Sequence, residues 1–163
     1  MACRGVYYAI DPETLSRVLA AKTDSAAVDA VMDVSQTLEP QWRHATDKSW
    51  DALHRCLGDG TLAIPKTFAP LPAAVLGGEQ LHSGDAWIIS LVRPERVRAV
   101  ADALAKITQE WLRERYDALN PRDYDGDMGD DDFEYTWDWF QGLPDLFERA
   151  AHSGRAVVFA VDQ

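Results

Sequence analysis

The run Ala156-Val157-Val158-Phe159-Ala160-Val161 constrains the fold more than any other stretch of the chain. It is too short for a buried helix and rich in β-branched and aromatic side chains, and an almost continuous apolar run of this kind belongs to a strand buried on both faces. Val6 to Ile10 and Ala86 to Val92 read as further strands. Between them the apolar spacing is helical. Asp11 supplies an N-cap and Pro12 a first helical position, ahead of Leu15, Val18 and Leu19. Ser25 to Thr37 reads as a second helix. Trp50, Leu53, His54 and Leu57 fall at i, i+3, i+4 and i+7 on a third, which ends at Gly58 to Gly60. Pro94 opens a fourth helix that carries Val97, Val100, Leu104, Ile107 and Trp111 on one face and runs to Leu119 with a bend near Thr108. Phe133, Trp137, Phe140, Leu143, Phe147 and Ala151 mark a last apolar face, interrupted at Gly142 and Pro144. The stretch from Thr37 to Asp47, the Pro65 to Pro72 segment and Glu79 to Gly84 read as irregular. Few strands among many helices, with no alternating βαβ series, predict an α+β fold: a small mixed or antiparallel sheet packed with several helices.

At 163 residues the chain has the length of one domain, and all of 1–163 is assigned to it. Its 27 acidic side chains against 16 basic ones give a formal charge of −11, a field that repels nucleic-acid phosphates and anionic membrane surfaces. The expected partners are therefore neither nucleic acid nor membrane; a basic protein suits the charge. Met1 to Gly5 leads straight into the first strand without a basic-then-apolar leader, which predicts a cytoplasmic location. Cys3 and Cys56 are too few for a disulfide framework and are expected as thiols.

Five groups of residues are candidates for chemistry. His54 is an imidazole inside an apolar stripe, either a satisfied core group or a general acid or base at a pocket, with Asp51 at i−3 as its orienting carboxylate. Gly77-Gly78 permits close backbone approach to a ligand or another segment but lacks the spacing of a phosphate loop. Glu79 and His82 copy half of a di-metal motif whose other half is missing. Asp123, Asp125, Asp127, Asp131 and Glu134 fall at positions one, three, five, nine and twelve of a calcium-loop register, but position six is Met128 where that loop has glycine. A solvated acidic loop is the stronger reading of that segment. Trp137 and Trp139 lie two apart and cannot share one narrow helical face, so at least one is expected at an interface. No cofactor is implied.

The segments Asp47 to Leu57, Leu76-Gly77-Gly78 and Phe147 to Val161 together resemble the YfbM-like family of small bacterial proteins, a domain family of unknown function. The resemblance implies the α+β fold and places Trp50, His54, Gly77 and Gly78 near one another, as candidate ligand-binding residues. It names no reaction. The expectation that follows is a non-catalytic binding protein, in one version an immunity-like neutraliser of a basic partner. The rivals are a small-molecule enzyme or ligand-binding protein with its pocket at His54, and a calcium-responsive loop.

Overall fold

A computed structural model describes residues 3–162, so Met1, Ala2 and Gln163, assigned above to the same domain, lie outside the described residues. The apolar tail forms β5 (Ala156–Asp162), the middle strand of a five-stranded sheet. Around it lie β1 (Gly5–Ile10), β2 (Arg43–Asp47), β3 (Glu79–Ser83) and β4 (Trp87–Val92), in the order β2-β1-β5-β4-β3. Every pairing is antiparallel. β5 runs between β1 and β4, with Phe159 opposite Tyr7 on one side and Ser90 on the other.

Both faces of the sheet are covered, which is why its central strand is apolar from Ala156 to Val161. Tyr8, Ile10, Ile89, Leu91, Val158 and Ala160 pack against α1 (Pro12–Leu19) and α2 (Asp24–Thr37). Tyr7, Ala9, Val92, Val157, Phe159 and Val161 face a larger core built from the remaining helices. These are α3 (Trp50–Leu57), the four-residue α4 (Pro70–Ala73), α5 (Pro94–Leu104), α6 (Gln109–Asp117), α7 (Asp130–Phe140) and α8 (Gly142–His152).

The local signals act as chemistry requires. The Asp11 carboxylate accepts from the Thr14 amide at 2.7 Å and caps α1. Thr108 does the same for α6, accepting from the Trp111 amide at 3.1 Å, so the long helix expected from Pro94 to Leu119 is two helices rather than one bent helix. The aromatic face from Phe133 divides at Gln141 into α7 and α8. Two segments expected to be irregular are strands. Arg43–Asp47 and Glu79–Ser83 occupy the two edges of the sheet, and their conformation is fixed by ladders to β1 and β4 rather than by their own side chains. No helix among the described residues is long and apolar enough to cross a membrane.

Candidate functional site

α3 is buried on almost every side. Trp50, Ala52, Leu53, His54, Arg55, Cys56 and Leu57 are all removed from solvent, and Arg115 reaches over from α6 to donate to the carbonyls of Cys56 and Gly58 at its C-terminal end. Its N-terminal end is different. Lys48, Ser49, Trp50 and Asp51 form one wall of a cleft of about 480 Å³, whose other walls are Tyr124 to Asp127 of the acidic connection, Asp132 and Tyr135 of α7, and Cys3.

Fixed contacts hold this cleft open. The Arg55 guanidinium, whose side chain is only 5% exposed, donates from Nε to Asp51 Oδ1 at 2.5 Å and from Nη2 to the Asp123 carbonyl at 2.9 Å, and lies 5.9 Å from the centre of the Tyr124 ring. It ties the acidic connection to α3. On the opposite side the Tyr116 and Tyr124 hydroxyls both donate to Oδ2 of Asp132. Burial first, and the Asp132 carboxylate second, push both phenols well above the usual tyrosine range, so they remain protonated donors. Asp132 Oδ1 has no hydrogen-bond partner among the described residues. Tyr135 donates to Asp47 Oδ2 at 2.8 Å, while the Arg4 guanidinium stands 3.1 Å from the other oxygen of Asp47. Four carboxylates therefore border the space, two of them clamped through one oxygen, against the single ammonium of Lys48.

The residues singled out from sequence do not form one site. Asp51 lines the cleft, but its partner is Arg55 and not His54. His54 is 1% exposed. Its Nε2 meets the Ala63 carbonyl at 3.2 Å and its Nδ1 accepts from the Leu76 amide at 3.4 Å, and burial holds its pKa below the ordinary imidazole value. Both ring nitrogens are used, so this imidazole pins the loop after α3 to the segment before Gly77, and the pocket expected around it is not formed. Trp50, one turn earlier, lines the cleft and donates from its indole to the Cys3 carbonyl at 3.2 Å.

The glycine pair lies outside the cleft, directly after the Leu76 amide that His54 holds. A Cβ on Gly77 would lie 2.6 Å from the Pro72 carbonyl carbon, and one on Gly78 2.6 Å from the Leu91 carbonyl oxygen; both positions need glycine because another backbone segment presses on them. Glu79 and His82 are on edge strand β3, with Glu79 bonded to Arg93 and His82 near Asp24.

Among the described residues no group of three or more His, Cys, Asp or Glu side chains could hold a metal ion, and Asp123, Asp125, Asp127, Asp131 and Glu134 are not gathered into one. The left-handed bend in that segment does occur at Met128, with φ 54°. Trp137 and Trp139 are both half-buried rather than fully exposed: Trp137 stacks on Phe140 at 5.5 Å, and Trp139 meets the edge of Tyr135 at 6.2 Å. Sequence reasoning missed Asp132, Tyr124, Tyr135 and Lys48 as cleft residues.

A five-stranded antiparallel sheet between two helical layers defines an α+β protein. The chain belongs to the DUF1877 family, a domain of unknown function, whose model matches residues 1–160. Its structure is similar to a crystal structure described as that of a protein of unknown function, YfbM from Escherichia coli, with a TM-score of 0.73 and 20% identity over 97% of this chain and 99% of that one. At that identity the likeness shows the fold. No curated protein matches the chain in sequence.

Proposed function

We propose that this is a non-catalytic binding protein whose cleft receives a cationic group, an arginine or lysine side chain of a basic protein partner. The observation that carries the reading is the cleft itself: carboxylates Asp51, Asp125, Asp127 and Asp132 beside the aromatic rings of Tyr124 and Tyr135 in one concavity. Carboxylates supply the charge, and ring faces favour a guanidinium or ammonium at close range. The overall charge of −11 would steer such a partner toward the protein. Trp139, against the edge of Tyr135, extends the same aromatic surface.

Catalysis is less well supported. The cleft contains no imidazole, the Ser49 hydroxyl donates to the Thr46 carbonyl at 2.6 Å, and His54 is closed off from it.

The test is a titration with an arginine-rich peptide, followed by calorimetry, with the wild type and with Asp125→Asn/Asp127→Asn. Saturable binding that weakens by roughly tenfold in the variant and falls with added salt would support the reading. Binding that is absent, or equal in both proteins, would overturn it. An immunity-like role would further require one basic protein from the native source to bind the wild type and to be lost from the variant.

A further inference from the structure

The glycine pair, which the acidic cleft does not use, borders a second concavity of about 460 Å³ between the Pro65–Phe68 loop, the end of β4 and the start of α5. Its electrostatics run against those of the molecule. Lys66, Arg93 and Arg96 line it against Glu79 and Glu95, in a chain whose formal charge is −11. Arg93 is already engaged: its Nε and Nη2 reach the two oxygens of Glu79 at 2.6 and 2.9 Å, and the pair neutralises itself. Among the described residues Arg96 and Lys66 form no ion pair.

The Arg96 guanidinium lies 4.5 Å from the centre of the Phe68 ring, held by the ring face. A guanidinium stacked in this way keeps its in-plane N–H groups, whose fork matches two oxygens of a carboxylate or phosphoryl group. Phe68, Pro65, Leu91 and Val92 give the same groove apolar walls. Gly77 and Gly78 also line the groove, and neighbouring backbone forbids a Cβ at either.

We infer that this groove binds a small organic oxyanion, its carboxylate or phosphoryl head on Arg96 and Lys66 and its carbon portion against Phe68 and Val92. The inference is independent of the cation-binding cleft, since the two share no residue.

An amide NMR titration with inorganic phosphate and, separately, benzoate, each against sodium chloride at equal ionic strength, tests it. Saturable movement of the Gly77 and Gly78 resonances is expected with at least one probe, and which probe succeeds distinguishes a phosphoryl head from a carboxylate. Arg96→Gln should raise the midpoint roughly tenfold. Glu95→Gln, which removes a nearby negative charge, should lower it. Both side chains are exposed, so both variants should keep the wild-type spectrum away from the groove. No saturable movement with either probe, or a midpoint unchanged by both Arg96→Gln and Lys66→Gln, overturns the proposal.

Discussion

His54 shows how a residue that reads as reactive in sequence can be structural in the fold. One ring nitrogen faces the Ala63 carbonyl and the other accepts the Leu76 amide, an arrangement available to the neutral ring alone. Burial lowers its pKa, whereas an imidazole in the unfolded chain titrates near ~6.5. Below that pH the unfolded chain takes up a proton that the native ring resists. The stabilisation is therefore whole above ~6.5 and is lost as the pH falls toward the native pKa. His54→Gln, which keeps a donor and an acceptor but does not titrate, should flatten part of this acid loss; urea unfolding at successive pH values measures it, and an unchanged slope would refute it. His44, its pKa also lowered by burial, contributes in the same sense. His54→Ala should cost about 2–4 kcal/mol at neutral pH, through the cavity and the orphaned Leu76 and Ala63 groups. Gly77→Ala belongs at the same scale. The new methyl would meet the Pro72 backbone, which cannot swing aside, so a loss of about 1–3 kcal/mol in denaturant midpoint is expected.

At the scale of elements, the strands and helices with a strong period of their own were legible: β1, β4 and β5, the capped start of α1, and the stripe of α3. The edge strands were not. In β2 only Thr46 is buried and in β3 nothing is, so neither segment has the alternation that marks a half-buried strand; each is extended because a neighbour's backbone pairs with it. The cleft was legible only in part for a similar reason. Asp51, Asp125 and Asp127 drew notice through local spacing, whereas Asp132, Tyr124 and Tyr135 become a site only when α7 lies against α3 and the connection folds over both. Arg55 is the joint between those elements. Arg55→Met should leave Asp51 unpaired and the Asp123 carbonyl unbonded, at a cost of about 2–4 kcal/mol. The sharper readout is regional: amide exchange should accelerate from 122 to 128 more than in β5. Equal protection of that segment in the variant would mean that the tyrosine pair on Asp132 holds the connection unaided.

Over the whole molecule the charge of −11 acts on two equilibria at once. Most of it sits on exposed carboxylates, whose mutual repulsion opposes the compact state and reaches only as far as the ionic atmosphere permits, about 10 Å at 0.1 M salt and about 3 Å at 1 M. Raising sodium chloride should therefore stabilise the isolated protein, by a few degrees in melting temperature. The clamped Arg55 and Asp51 pair is too enclosed to be screened comparably and does not offset this. Association with a cationic partner runs the other way, because the same ions weaken the attraction between the cleft and the incoming charge. Salt should thus raise stability while lowering affinity, and Asp125→Asn/Asp127→Asn should reproduce both effects at low salt, since neither carboxylate forms an ion pair among the described residues. Melting curves and peptide titrations on the same samples decide the matter. If affinity and stability move together, the acidic face is a folding liability offset elsewhere in the molecule, and the cleft is not where a basic partner lands.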